Sequence, residues 1–228
     1  PILDISENDV VFSAAKLFFA YGLGNALTFP MAVGASAILL EGPPEPEIIN
    51  KIFLEEKPTL FFGVPTLFAI LLASDNLPTK DEHDVRLCIS AGEPLPSDLL
   101  ARWQGTFGVD ILDGLGTTEM LHIFVSNRPD EITPGSTGRV VPGYQIRLIN
   151  DNNEVCAPGE MGVLEVSGPS SALMYWGQRQ KTKDTFRGSW TRTGDNYSIS
   201  EEGVMTYGGR NDDMLKVGGI YVSPFEVE

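Results

Sequence analysis

Four short segments of the chain combine glycine with one or two groups able to hold an anion or a sugar hydroxyl. They are Asp113-Gly114-Leu115-Gly116-Thr117-Thr118-Glu119, Trp190-Thr191-Arg192-Thr193-Gly194-Asp195, Gly208-Gly209-Arg210-Asn211-Asp212-Asp213 and Lys216-Val217-Gly218-Gly219. Glycine lets backbone approach a ligand closely, and a lone threonine or aspartate can then hydrogen-bond a phosphate or a ribose. One such segment is weak evidence. Four in fixed order over about a hundred residues are not explained by loop chemistry alone.

The elements around them change character along the chain. In the first half, apolar runs bounded by turn residues predict strands at Ala35–Leu40, Thr59–Gly63, Val85–Ser90 and Val109–Leu112. Between them lie helical patterns. Pro46–Glu56 places Ile48, Ile49, Ile52 and Phe53 on one face, Pro65–Ala73 opens on a proline, and Leu95–Phe107 begins with Pro96 and Ser97. Such alternation predicts a parallel α/β sheet over residues 1–130. From about Thr133 short strands separated by Gly, Pro, Asn and Asp predict a small antiparallel β-barrel-like subdomain over 131–209. The clearest are Tyr144–Asn150, Gly162–Gly168, Asn196–Ser200 and Val204–Tyr207. Residues 210–228 read as a hinge entering an incomplete C-terminal domain. The fold class is therefore α/β, a parallel sheet followed by a small antiparallel barrel.

The 228 residues suffice for a large core, and the 42% apolar content is ordinary for a globular protein. A formal charge of −15 argues against nucleic acid or an anionic membrane as partner. Cys88 and Cys156 lie far apart without a CxxC motif, which excludes a disulfide framework or a cysteine zinc site and suits a reducing cytoplasm. Leu17–Leu40 carries no charged residue, but Gly22, Gly24, Asn25, Pro30 and Gly34 interrupt it. A buried helix followed by a strand is expected there, not a membrane span. His83, in Lys80-Asp81-Glu82-His83-Asp84, is expected to be solvated, and Trp190 to pack in a core.

Together the four segments resemble the adenylate-forming superfamily of acyl-CoA synthetases, peptide-synthetase adenylation domains and luciferases. The resemblance is colinear over nearly the whole chain. Phe18-Phe19-Ala20-Tyr21-Gly22-Leu23-Gly24-Asn25 and Gly114-Leu115-Gly116-Thr117-Thr118-Glu119-Met120-Leu121-His122 are most similar to benzoate-CoA and related aryl-CoA ligases. The resemblance implies that a carboxylate attacks the α-phosphate of ATP to give an acyl-adenylate, and that the thiol of coenzyme A then displaces AMP. Such a reaction asks for positioning, hydrogen-bond donors and Mg2+ rather than covalent catalysis by the protein.

By this resemblance, Thr118 would hydrogen-bond the α-phosphate and Glu119 would ligate Mg2+; the alternative is that both serve only a capped helix start. Asp195 would accept from the ribose hydroxyls and Arg210 would donate to the ribose or phosphate. Ala91, Gly92, Glu93, Asp113, Gly114, Leu115 and Tyr207 would complete the nucleotide site. Leu115 stands where the family usually has an aromatic residue, which weakens stacking on adenine there. Ala20, Tyr21, Gly116 and His122 would line the acyl pocket, and Phe19 replaces a histidine common in the family. Asp212 would be the hinge, with Gly218 and Gly219 near the pantetheine arm of CoA.

A phosphate loop ending in Pro-Lys-Gly and a late catalytic lysine are not found within these residues. Thr133-Pro134-Gly135-Ser136-Thr137-Gly138 resembles that loop only superficially and is expected to be a connecting turn. The chain is thus expected to be the middle of a longer cytoplasmic aryl-CoA ligase, inactive alone, with ATP, Mg2+ and CoA as cofactors and an aromatic carboxylate as substrate. A homodimer is compatible with this reading. The alternatives are a peptide-synthetase adenylation domain, disfavoured because no Asp occupies Phe19-Ala20-Tyr21, and a non-catalytic AMP-binding module.

Overall fold

A computed structural model describes residues 2–210 and the backbone of 215–217 and 220–222. Its strands are β1 Val10–Ser13, β2 Ser36–Ile38, β3 Leu60–Gly63, β4 Leu87–Ala91, β5 Ile111–Gly116, β6 Ile123–Ser126, β7 Arg139–Val140, β8 Gln145–Ile149, β9 Gly162–Ser167, β10 Phe186–Arg187, β11 Trp190–Ile199, β12 Met205–Arg210, β13 Leu215–Val217 and β14 Ile220–Val222. The helices are α1 Ala20–Leu23, α2 Phe29–Val33, α3 Pro46–Glu55, α4 Pro65–Leu72, α5 Ser97–Phe107 and α6 Arg179–Thr185. A π-helical turn, Gly24–Thr28, joins α1 to α2, and a 3-10 turn, Thr118–Met120, follows β5.

Seven strands form the first sheet in the order β2-β1-β3-β4-β5-β6-β7. The pairs from β2 to β5 are parallel; β6 and β7 are added antiparallel. Helices α3, α4 and α5 make the crossovers between β2, β3, β4 and β5, as parallel pairing requires. Strands β3 and β4 are buried along their whole length, which is why they read as unbroken apolar runs. Their period of two divides the core. Phe12, Phe61, Cys88 and Ile111 face one layer with Phe53, Phe68, Trp103 and Phe107 from α3, α4 and α5; Val11, Leu60, Phe62, Ile89 and Leu112 face the other.

The second sheet runs β10-β11-β9-β8, with β12 pairing β11 further along the edge that β10 occupies, all antiparallel. Its core is Leu148, Leu164, Val166, Tyr197 and Met205, with Phe124 and Val125 from β6 of the first sheet and Met120 from the 3-10 turn. The parallel sheet and the barrel-like sheet are thus both present. Strand β7 still belongs to the first sheet although it lies beyond residue 130.

Several expectations are corrected. Strand β1, four residues long, was not anticipated and lies inside the first sheet. Leu17–Leu40 does hold a helix followed by a strand, β2, but the helix runs from α1 through the π-turn to α2 and is only partly buried, with Met31 73% exposed and Phe18 just before it 80% exposed. His83 is buried, not solvated. Its ring stacks on Phe107 with centroids 3.8 Å apart, Nδ1 accepts from the Val85 amide, and Nε2 therefore donates to the Phe107 carbonyl at 3.0 Å. Burial holds its pKa below the usual histidine range. Trp190 joins no core cluster; it is half-buried under the Arg147 guanidinium. Strands β5 and β11 also extend through the motifs read as loops.

Trp103 is fully buried, edge-on to Phe68 at 4.8 Å and tilted against Phe107 at 4.5 Å. Trp103→Ala is expected to cost about 3–5 kcal/mol, read as a lower urea midpoint at unchanged slope.

Candidate active site

In parallel sheets, ligands gather beyond the carboxyl ends of the strands. Here β3, β4 and β5 end at Gly63, Ala91 and Gly116. After Gly116 the chain reverses through Thr117–His122 into antiparallel β6. A Cβ on Gly116 would stand 2.6 Å from the His122 carbonyl oxygen, so only glycine permits the reversal. Leu121 closes it at φ +69°, a costly conformation for a non-glycine residue. Thr117, not Thr118, caps the 3-10 turn: its Oγ1 accepts from the Met120 amide at 3.3 Å. The Thr118 side chain is left exposed at the junction of two cavities.

The first cavity, about 720 Å3, is polar and lies between the two sheets. Gly92, Glu93, Asp113, Gly114, Leu115, Thr118, Glu119, Asp195, Tyr207 and Arg210 all line it. Ala91 instead faces the second cavity. Glu93 Oε2 accepts from Thr66 Oγ1 at 2.7 Å. Tyr207 both lines the cavity and packs edge-on to Tyr197, 5.4 Å between centroids. Asp195 and Arg210 are register partners on β11 and β12, with Arg210 Nη1 3.2 Å from Asp195 Oδ1. The β11 register with β9 shifts between Arg192 and Asn196, and Gly194 at φ +82° accommodates this bulge; bulges re-aim side chains.

Asp113 sits in the wall of this cavity, nearly inaccessible, with Oδ1 lacking a hydrogen-bond partner. Burial pushes its pKa up to about 8, so it is largely neutral at pH 7. Sequence reasoning did not single out Thr117, Thr137, Tyr175, Lys181, Asp184, Arg192 or Thr193 as part of this lining. Thr137 belongs to the segment expected to be a connecting turn; its Oγ1 lies 3.3 Å from the Tyr197 hydroxyl. Thr117, Arg192 and Thr193 lie within quoted motifs; Tyr175, Lys181 and Asp184 carry no local signal.

The second cavity, about 500 Å3, is apolar. Ala20, Tyr21, Gly116 and His122 line it, with Val64, Leu67 and Ile123. The Tyr21 hydroxyl is directed at the carbonyls of Gly63 and Ile89, at 3.3 and 3.2 Å. His122 stacks on Tyr21, with Nε2 2.9 Å from Asn25 Oδ1. Burial lowers its pKa to about 4, which leaves a neutral ring at pH 7. Gly24 makes the room, since a Cβ there would lie 2.4 Å from the His122 ring.

No group of three metal-ligating side chains occurs among the described residues. One carboxylate of the polar cavity's lining, such as Glu119, would suffice for Mg2+, which takes most of its ligands from phosphate oxygens and water. Asp212, Gly218 and Gly219 lie outside the described residues.

Residues 2–176 match the family model described as AMP-binding enzyme. The chain belongs to this family. It is 57% identical over its full length to the benzoate--CoA ligase of Thauera aromatica, covering 44% of that protein. A benzoate CoA ligase structure from Burkholderia xenovorans LB400 superposes with a TM-score of 0.95 at 54% identity, covering all of this chain and 46% of that one. The anthranilate CoA ligase AuaEII, solved in complex with anthranoyl-AMP, superposes at 0.92 with 43% identity over 98% of this chain and 43% of that one. The chain thus spans less than half the length of these relatives. Among the described residues, no helix is long and apolar enough to cross a membrane.

The state of Asp113 sets a pH dependence. Its folded pKa, about 8, lies above its unfolded value, so between about pH 4 and 8 the unfolded chain binds fewer protons. This acid therefore costs stability progressively over that window and no further above it. Asp113→Asn is expected to remove the slope, leaving stability at pH 4 nearly unchanged and raising it at pH 8 by about 1–3 kcal/mol, read from thermal melts of both proteins across the window.

Proposed function

We propose that the chain carries the acyl and nucleotide sites of an ATP-dependent, AMP-forming aryl-carboxylate–CoA ligase of the benzoate or hydroxybenzoate type. The observation carrying this reading is that a polar cavity and an apolar cavity share the lining residues Gly92, Gly116, Thr117 and Thr118. A nucleotide in the first and an aromatic ring in the second would bring α-phosphate and carboxylate together at Thr118.

In this reading the Thr118 hydroxyl donates to the α-phosphate as charge builds on it. Asp195, oriented by Arg210, accepts from the ribose hydroxyls, and Tyr207 and Leu115 pack on the base. Glu119 would hold Mg2+, which when bound neutralises phosphate charge. Tyr21 lines the slot with its hydroxyl directed at backbone and its ring stacked on His122, and neutral His122 is the polar marker beside the aryl ring. The neutral ring supports an uncharged or hydroxyl-bearing aromatic acid over one with a second carboxylate. The coenzyme A half-reaction, with Gly218, Gly219 and a hinge at Asp212, belongs to the same reading. Both cysteines are free thiols, which suits a reducing cytoplasm.

A benzoyl-adenylate mimic should raise the melting temperature well above AMP at equal concentration, because it fills both cavities. Equal shifts would sink the aryl reading. Asp195→Ala should weaken AMP binding about 10–100-fold, the value of a hydrogen bond to a charged group. Titration calorimetry with AMP reads this directly, and unchanged affinity would count against a ribose contact.

A further inference from the structure

Between β9 and α6 the chain crosses back to the turn that carries Glu119. The Ser170 hydroxyl donates to the Met120 carbonyl at 2.7 Å, and the Ala172 amide donates to the Glu119 carbonyl at 2.7 Å. The Tyr175 hydroxyl donates to Glu119 Oε1. One segment of the second sheet thus grips both the main chain and the side chain of a residue on the first. The segment is itself anchored. The Tyr144 hydroxyl lies 2.8 Å from Ser170 Oγ, Ser171 Oγ lies 2.9 Å from Thr191 Oγ1, and the Tyr175 amide donates to Thr182 Oγ1 in α6 at 3.0 Å. The Tyr175 ring is held between Phe186, 5.4 Å away, and the Lys181 ammonium, 4.2 Å over its face.

A carboxylate on a solvent-facing turn rotates freely unless something fixes it, and each free rotor costs entropy when a ligand orders it. The geometry points to Tyr175 as a positioning residue that holds the Glu119 carboxylate in place for Mg2+. This rests on the reading of Glu119 as the metal ligand. A phenol hydroxyl is an O–H donor at neutral pH, and here it donates to Glu119. The hydroxyl occupies Oε1, so the cation would approach through the other oxygen. Hydrogen-bond partners of this kind typically change metal affinity 10–100-fold when removed.

The test is a thermal-shift titration of Mg2+ at fixed ATP on the full chain. Tyr175→Phe should raise the Mg2+ concentration that half-saturates the ATP-dependent shift about 10-fold. In a Glu119→Gln background the same substitution should add nothing, the coupling expected of a pair acting together. A half-saturating concentration that is unchanged or lower in Tyr175→Phe overturns the proposal, as does an equal effect in both backgrounds. A wild-type protein stabilised by AMP whose ATP response ignores Mg2+ also overturns it, without touching the nucleotide site. Loss of the aryl-adenylate preference, conversely, leaves the Tyr175 result standing.

Discussion

The reversal of the chain between β5 and β6 is the constraint on which the site depends. A parallel strand delivers its last residues to the sheet edge, and an antiparallel neighbour must begin within a few residues of it. Gly116 admits the His122 carbonyl where a side chain would stand, and Leu121 accepts a left-handed backbone to complete the turn. Strain of that kind persists only where surroundings over-determine it. Here they do: Met120 is fully buried in the second core, and Thr117 caps the short helix. The result is that Thr118, Glu119 and His122, within five residues, are turned toward three different surroundings. Thr118 faces the junction of the cavities, Glu119 the polar one and His122 the apolar one.

The second sheet then completes what the first begins. The bulge in β11 places Asp195 across from Arg210, while Thr137 reaches the polar cavity from the connection between β6 and β7. Met120 and Val125 pack into the core of the second sheet, so the turn is shared property of both. A cavity between two sheets of different topology is built by their mutual packing, and its geometry follows any displacement of one against the other.

Much of this was legible along the chain. The strand–helix alternation up to Phe107, the switch to antiparallel pairing, and the residues of the two cavities follow from periodicity and from the motif resemblance. What was not legible has physical causes. Strand β1 is too short to show a period, and its burial comes from neighbours fifty residues on. His83 sits among charged residues in sequence, yet its ring is taken up by Phe107, a contact that local polarity does not report. The segments Trp190–Asp195 and Gly208–Arg210 read as loops because glycine is rare in strands; here they are strands because a bulge absorbs the irregularity. Tyr175 and Thr137 reach the site only through tertiary packing, and no local pattern marks them.

Charge within the polar cavity sets a condition that the fold has to meet. Glu93, Asp113, Glu119, Asp184 and Asp195 line it together with Lys181, Arg192 and Arg210. Five carboxylates against three cations would repel an anionic ligand, on a chain whose formal charge is already −15. Three features reduce that repulsion. Burial keeps Asp113 largely neutral at pH 7, Arg210 pairs with Asp195, and Thr66 donates to Glu93. Arg192 offers less than its charge suggests, because it lies 3.6 Å from Glu165, which Arg147 also engages at 2.7 Å. Glu119 accepts from a neutral donor, the Tyr175 hydroxyl. A carboxylate left uncompensated at the edge of an anion-binding cavity is costly unless a cation joins it with the ligand. The electrostatics of the lining thus favour an anionic ligand arriving with a cation over the bare anion.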